Sequence, residues 1–386
     1  MSTITTEAWV LHKGSRDEPG PAQLVREEFS FPDITEDEVL VEPIFGCWEG
    51  NMSHALERWP IDICRLRREA AVVMGNAGVV RILQAGKAVT GVKEGDLCML
   101  GPVGTADEFG NMLTVVGYDC AKSIGVLAKK IKLRESQVLP IPADTRHSYE
   151  QWAAFPVRYG TAWANWKVAY GSFRLQMSHD EAPAPHVWGW GGGVALAELA
   201  LAKFDGCKVA MIASTDARLD LLRQMGIRPI DRRQFDGLDF DEARYHSDLH
   251  YKKGYLKAQS RFLQAVKEET GGEGVSIFIE NIGKPVFNAT LKALRTSGVI
   301  TTVGWKCGME LPLRRATECM ERHIHVHTHG STYGEGLESM EFGERTGWMP
   351  PVNGTVYAWE DVPRLASDYA EGRIDSYFPI FEVNPL

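Results

Sequence analysis

The stretch HVWGWGGGVALAELALAK, residues 186–203, joins a short apolar segment, a glycine-rich turn and a segment with helical spacing. Such a turn lets the main chain approach a pyrophosphate, whose charge meets the amides and the positive dipole of the following helix. The strict pattern G-x-G-x-x-G is not met, because Val194 stands in place of its last glycine. A variant G-x-x-G-x-x-A, made of Gly189, Gly192 and Ala195, fits instead. The turn therefore predicts dinucleotide binding rather than a merely structural bend.

The segments around this turn predict the architecture of the whole chain. Helical ARLDLLRQMG and PVFNATLKALR alternate with the apolar segments CKVAMIAS, VSIFIEN and GVITTVGW, which is typical of a parallel sheet with right-handed crossovers. Up to about residue 142, short apolar runs are broken every ten residues or so by Gly, Pro and Asp, which favours β structure. We predict an α/β protein with a β-rich domain over 1–160, a Rossmann domain over 161–320 and a C-terminal return to the first domain over 321–386.

The end of the second apolar segment of the Rossmann domain predicts which dinucleotide binds. An acid there would bind a ribose diol, whereas a 2′-phosphate requires its absence and a nearby cation. The segment ends in Ser214 and Thr215, and Arg218 follows, although Asp216 stands close enough to take the acidic role. We predict NADPH, with Arg218 on the 2′-phosphate. The alternative is that Arg218 is a solvated residue in the first turn of a helix.

Composition excludes several classes of protein. The chain has 386 residues, 44% hydrophobic and 24% charged, which is typical of a soluble globular protein. No apolar run approaches the roughly 18 residues of a membrane span, so we predict no membrane association and a cytoplasmic location. The formal charge of -9 argues against nonspecific nucleic-acid binding. Seven scattered cysteines form no disulfide framework and no zinc clamp of the C-x-x-C type.

Four further stretches carry a family resemblance: EAWVLHKGSRDEPGPAQLV at 7–25, GYD at 117–119, GTAW at 160–163, and a long insertion over 230–280. With the domain order, they resemble the medium-chain dehydrogenase/reductase superfamily, most closely its crotonyl-CoA carboxylase/reductase branch. The resemblance covers essentially the whole chain. It implies a GroES-like catalytic domain next to the Rossmann domain, and NADPH as the cofactor.

The resemblance also bears on metal binding. Zinc-dependent alcohol dehydrogenases of the superfamily bind a catalytic metal with a Cys after an early strand, a His in a G-H-E motif and a Cys at the start of the domain-linking helix. Here MGNAG puts Asn76 and Ala77 at the G-H-E position, and FPVRYG carries no cysteine. Cys47 alone does not make a tetrahedral site. The comparison implies that the catalytic zinc is absent.

The segment ERHIHVHTHGSTY, residues 321–333, places His323, His325, His327 and His329 at alternate positions. On a strand they would form a ladder on one face. In the superfamily this segment leaves the nucleotide domain beside the nicotinamide cleft. Two interpretations stay open: the histidines line a polar cleft, with a proton donor among them, or they bind a metal.

The resemblance implies reduction of an activated double bond, in an enoyl thioester or an enone, of a small metabolite. A zinc-independent dehydrogenase of an alcohol and carbonyl pair and a non-catalytic nucleotide-binding protein remain as alternatives. We expect a small-molecule substrate and a homodimer or homotetramer. The predicted catalytic residues are Asn51, Asn76, Asp119, His325, His327 and His329.

Cofactor contacts are predicted along the glycine turn, the end of the second strand and the strand that faces the nicotinamide in the superfamily. Trp190, inside the turn, either covers the cofactor or packs over the start of the helix. The predicted cofactor-binding residues are Thr161, Gly189, Trp190, Gly191, Gly192, Gly193, Val194, Ser214, Thr215, Arg218, Gly304 and Trp305.

Overall fold

The computed structural model describes residues 2–15, 22–304 and 306–386. Trp305 and residues 16–21 of the quoted N-terminal stretch lie outside the described residues. The chain divides into one compact unit of Met1–Thr161 with Ser331–Leu386 and a second of Ala162–Gly330. The predicted domain limits lie at 160/161 and 320/321, and the limits of these units lie at 161/162 and 330/331.

The first unit is rich in short strands. Its strands and helices before residue 162 are β1 (Thr3–His12), β2 (Val25–Pro32), β3 (Glu38–Cys47), α1 (Gly50–Glu57), α2 (Ile63–Arg67), β4 (Ala71–Val73), β5 (Gly78–Ala85), β6 (Leu97–Leu100), β7 (Val103–Ala106), β8 (Met112–Val115), β9 (Ile131–Arg134), β10 (Val138–Pro140) and the first part of α3 (Tyr149–Gln176).

The second unit alternates strands and helices, as its sequence predicts. Its elements are β11 (His186–Trp190), α4 (Gly193–Phe204), β12 (Lys208–Ala213), α5 (Asp216–Gln224), β13 (Arg228–Asp231), α6 (Glu242–Ser247), α7 (Leu249–Glu269), β14 (Val275–Glu280), α8 (Lys284–Ala293), β15 (Leu294–Thr301) and β16 (His325–His327). The chain then returns to the first unit with α9 (Tyr333–Thr346), α10 (Val362–Ala370) and β17 (Ile380–Glu382).

Antiparallel pairing around β3 organises the first unit. Within the described residues, β3 pairs with β5, β9 and β17, and the sheet order is β10-β6-β5-β3-β17. The pairing of β17 with β3 joins the C-terminal return to this unit. The prediction of a GroES-like β domain is confirmed.

A parallel sheet organises the second unit, with the strand order β13-β12-β11-β14-β15-β16 in the described part of the chain. All residues of β11 and β14 are buried, which is typical of parallel strands covered by helices on both faces. The core includes Trp188, Phe262, Phe278 and Phe287. The prediction of a doubly wound Rossmann domain is confirmed. None of the helices in the described ranges combines the length and apolar character needed to cross a bilayer.

Candidate functional site

The glycine turn between β11 and α4 leaves room in front of a helix. Gly191 has a φ of +135°, and a Cβ there would lie 2.9 Å from the Cβ of Asn281, so that only glycine suits the position. Gly192 precedes the first residue of α4, Gly193, and a Cβ on Gly192 would meet no atom within 4 Å. The main chain at Gly192 therefore borders open space.

The amides at the start of α4 suit an anion. The first amides of a helix have no acceptor within the helix, and no side chain caps α4 at Gly192. The amides of Gly193 and Val194 consequently present partial positive charge, which the dipole of this 12-residue helix reinforces. Gly189 serves packing, because a Cβ there would lie 3.3 Å from Leu199. This geometry fits a pyrophosphate held by main-chain amides.

Trp190 packs into the protein core. Its side chain is 3% exposed, and its Nε1 donates to Thr290 Oγ1 at 3.0 Å. Its ring stacks on Phe262 with centroids 5.1 Å apart and also contacts Phe278. Of the two interpretations of Trp190, packing describes the indole in this structure. A cofactor contact at residue 190 stays a prediction. The physical reason is the alternation of a strand: Trp188 and Trp190, two positions apart on β11, share one face of the sheet, and both contact Phe262 of α7.

Polar residues follow the end of β12, where a 2′-phosphate is predicted. Ser214 is exposed. Thr215 caps α5, its hydroxyl accepting the main-chain amide of Arg218 at 3.4 Å. Asp216, the acid close enough to bind a ribose diol in place of a phosphate, forms an ion pair with Arg233 at 2.6 Å. The Asp216 carboxylate is thereby partly neutralised, and Arg233 places a second cation at the start of α5.

The carboxyl end of β14 carries two polar side chains beside the turn. Asn281 accepts the Val303 amide on its Oδ1 at 3.0 Å, while its Nδ2 is buried without a hydrogen-bond partner in the described residues. A Cβ on Gly304 would lie 2.3 Å from the Asn281 carbonyl oxygen, so Gly304 is needed for close approach. Asn281 thus contacts both Gly191 and Gly304, which links the glycine turn to the end of β15.

Glu280 precedes Asn281 and is fully buried. Its Oε1 accepts the main-chain amides of Ile282 and Gly283 at 2.8 and 2.9 Å. Burial raises the pKa of Glu280 to about 7, against the lowering effect of these two hydrogen bonds. The carboxyl group therefore fixes the turn that leads into α8.

The histidine segment forms a shorter strand than predicted. Only His325–His327 pair with β15 in the described structure, with His325 opposite Val299 and His327 opposite Thr301. His323 has a left-handed φ of +54°, and His329 lies beyond the strand. The four-histidine ladder is therefore corrected to two strand positions, because the preceding π-helical turn (Arg315–Glu321) ends too close to His323 for extended backbone.

His327 is the most enclosed histidine of the strand. His325 is exposed, whereas His327 is half-buried and its Nε2 is buried without a hydrogen-bond partner in the described part of the chain. Burial lowers the pKa of His327, and His329 and His325 add to that effect. The imidazole is therefore neutral at physiological pH, which leaves it able to accept or relay a proton.

Asn165 of α3 holds the chain after β16. It is fully buried, and its Nδ2 donates to the His329 carbonyl at 2.7 Å. Its Oδ1 accepts the His329 amide and the Thr301 hydroxyl, each at 3.1 Å. One side chain thus fixes the main chain of His329 against the end of β15.

The predicted catalytic residues of the first unit have different surroundings. Both amide atoms of Asn76, and the Oδ1 of Asn51, are buried without hydrogen-bond partners among the described residues. Asp119 accepts the Val115 amide at 2.6 Å and so stabilises the turn after β8. Thr161, a predicted cofactor contact, ends the first unit within α3. The two asparagines are the side chains here with unused hydrogen-bonding capacity.

The residues present do not fit the zinc site of related alcohol dehydrogenases. Cys47 is fully buried at the end of β3, and its Sγ accepts a hydrogen bond from Arg158 Nη1 at 2.8 Å. Burial raises the pKa of the Cys47 thiol to about 12, an effect that Arg158 opposes. The described residues contain no cluster of three or more His, Cys, Asp or Glu side chains arranged to bind a metal ion. A guanidinium instead contacts the sulfur.

Sequence reasoning missed several residues that organise these regions. The sequence signal that could have identified each of them is a polar or charged residue within an otherwise apolar segment, or directly after an apolar strand. The missed residues are Arg158, Asn165, Arg233, Glu280 and Asn281.

No protein-family model matches the chain. Crotonyl-CoA reductase from Streptomyces avermitilis is 25% identical over 246 residues, which are 64% of this chain and 52% of that enzyme. The chain thus spans about half the length of this curated relative. A solved 2-octenoyl-CoA carboxylase reductase, in complex with NADP and 2-octenoyl-CoA, superposes over 98% of this chain and 87% of its own, with a TM-score of 0.77 and 20% identity.

A crotonyl-CoA carboxylase/reductase solved with NADP gives a TM-score of 0.77 at 18% identity, over 99% of this chain and 95% of its own. The chain therefore has the fold of the medium-chain dehydrogenase/reductases. Its similarities include the crotonyl-CoA carboxylase/reductase branch, as the sequence motifs predict.

Proposed function

We propose that the chain is an NADPH-dependent oxidoreductase that reduces an activated carbon–carbon double bond, in an enoyl thioester or enone, of a small metabolite. The observation that carries this proposal is the open space at Gly192 in front of the uncapped start of α4. The branch of relatives, two of them solved with NADP, supports the choice of cofactor and reaction.

The cofactor would be held from several sides of the parallel sheet. Main-chain amides over 191–194 would bind the pyrophosphate. Ser214, Thr215 and Arg218 would bind the 2′-phosphate, with Arg233 as a further cation. Thr161 and Gly304 would border the nicotinamide, and Trp305, outside the described residues, stays a sequence prediction. When bound, NADPH supplies a hydride to the β-carbon of the substrate.

The remaining chemistry falls to side chains of this chain. Charge develops on the thioester or ketone oxygen as the β-carbon gains the hydride, and amide donors stabilise such an oxygen. Asn76 and Asn51 have hydrogen-bonding atoms available for this task. The α-carbon then takes a proton, for which we propose the histidines at 325, 327 and 329, with Asp119 as a further candidate. His327 has the buried, unpaired Nε2 that such a role needs.

The same asparagines favour a second candidate function. Buried amides without partners also suit the hydroxyl groups of a polar metabolite, which supports zinc-independent interconversion of an alcohol and a carbonyl compound. A non-catalytic nucleotide-binding role is the third possibility. The expected cytoplasmic location and the homodimeric or homotetrameric assembly remain part of the proposal.

An anaerobic substrate panel tests the proposal. Oxidation of NADPH would be followed with enoyl-CoA thioesters and enones in one panel, and with ketones and polyols in a matched panel run in both directions. We expect turnover only in the first panel. Turnover only in the second would favour the alcohol and carbonyl reaction, and normal NADPH binding without turnover in either would favour the non-catalytic role.

A further inference from the structure

A buried cation, Arg158 of α3, contacts the end of β3. The proposed function assigns it no role. Arg158 and Glu49 are each 4% exposed. The Arg158 Nη1 lies 2.8 Å from Cys47 Sγ and 3.1 Å from Glu49 Oε1, and Nη2 donates to the Trp48 carbonyl at 2.8 Å. One guanidinium therefore gathers a sulfur, a carbonyl oxygen and a carboxylate oxygen from three consecutive residues.

These partners are atoms that metal ions use as ligands. Thiolate sulfur and carboxylate oxygen bind zinc and cobalt, and carbonyl oxygen binds harder cations. We propose that Arg158 is a built-in cation that takes the place of a metal ion at the end of β3, holding Cys47, Trp48 and Glu49 together and keeping divalent metals out.

Electrostatics explains both parts of the proposal. A buried guanidinium is stable only when its charge is paired and its donors have acceptors. Glu49 Oε1 lies within ion-pair distance of Arg158, and Cys47 Sγ and the Trp48 carbonyl accept its hydrogen bonds. A metal ion bound to Cys47 Sγ, at a bond length of about 2.3 Å, would lie no more than about 5 Å from Arg158 Nη1. Like charges at that separation in a buried site repel strongly.

The chain offers a matched control for this arrangement. Arg67 is 6% exposed and belongs to the same unit. It bonds Glu69 at 2.8 and 3.0 Å and the carbonyls of Tyr118 and Ser123 at 3.2 and 2.8 Å. Arg67 thus has carboxylate and carbonyl partners but no sulfur partner. Its replacement therefore shows the effect on stability of removing a buried cation, without a sulfur ligand for a metal.

The test is a titration of the full-length, metal-free protein with Co²⁺, monitored by absorption. We expect Arg158→Ala to bind one cobalt ion per chain, with a thiolate-to-cobalt charge-transfer band in the near ultraviolet that the added substitution Cys47→Ser removes. Wild type and Arg67→Ala should show no such band. Both arginine variants should lower the melting temperature by about 5–10 °C, and zinc should restore it only in Arg158→Ala.

Because Arg158→Ala risks poor folding, Arg158→His provides a second route, with its imidazole as an additional ligand. Two results would overturn the proposal. A cobalt band in the wild type would show that the guanidinium does not exclude metals. Folded Arg158→Ala and Arg158→His proteins without any cobalt band would show that the three partners do not form a metal-like ligand set. Neither readout depends on NADPH or on a substrate, so the outcome is separate from that of the proposed function.

Discussion

Replacement of Asn165 by alanine tests how the segment after β16 is held. The change removes three hydrogen bonds of this buried side chain: a buried one to the Thr301 hydroxyl and two part-buried ones to the main chain of His329. Each such bond contributes about 0.5–1.5 kcal/mol, and the amide and carbonyl of His329 lose these contacts. We therefore expect the free energy of unfolding of the second unit to fall by about 2–4 kcal/mol.

The control is Thr301→Val, which removes a single one of these bonds and should cost about 1 kcal/mol. Urea unfolding measures the loss, and hydrogen exchange of the amides over 325–330 shows where it occurs. We expect fast exchange in that segment in Asn165→Ala, near-native exchange in Thr301→Val, and NADPH affinity little changed in both. An Asn165→Ala protein as stable as Thr301→Val, with a protected His329 amide, would refute the account of Asn165.

Three further predictions concern the cofactor region and its helix. Arg218→Ala should weaken NADPH binding about tenfold and leave NADH binding unchanged, because a cation binds the 2′-phosphate. The control is Arg228→Ala, an exposed arginine at the start of β13 that pairs with Glu269; equal weakening of NADPH and NADH by Arg218→Ala in calorimetric titration would contradict the assignment. Gly192→Ala should fold normally but bind NADPH more weakly than the control variant Gly254→Ala. Both alanines would meet open space, but only residue 192 borders the start of α4. Equal NADPH affinities in fluorescence titration would exclude the turn as the binding site. Burial raises the pKa of Glu198 well above its ordinary value, so the folded state favours its protonated form and stability falls as pH rises above about 4.5. In urea unfolding, Glu198→Gln should match wild type at about pH 4 and exceed it at about pH 8; the same pH dependence in both proteins would contradict the assignment.

Local pattern predicts the parts of the fold that depend on neighbouring residues. The glycine turn and the start of α4 at Gly193 follow from the strand, turn and helix signals in one stretch of 18 residues, 186–203. The parallel sheet follows from repeated alternation of such segments. Both are confirmed because the relevant physics, helix dipole and backbone freedom of glycine, acts within a few residues.

Long-range partners explain what the sequence could not predict. Arg158 contacts Cys47, which lies 111 residues away in the sequence, and Asn165 contacts His329, which lies 164 residues away. Trp190 turns into the core because Phe262 and Thr290 lie there, which no local pattern reveals. The histidine alternation predicted a long strand, but the preceding π-helical turn shortens it.

Transfer of deuterium from NADPH to the substrate tests most directly the claim that the protein reduces an activated carbon–carbon double bond. NADPH carrying deuterium at the transferable position of C4 would be incubated with the protein and an enoyl-CoA thioester, and the product analysed by mass spectrometry and NMR. The account predicts a saturated thioester with one deuterium on its β-carbon and an α-carbon proton taken from solvent. A saturated product without deuterium on its β-carbon would contradict it.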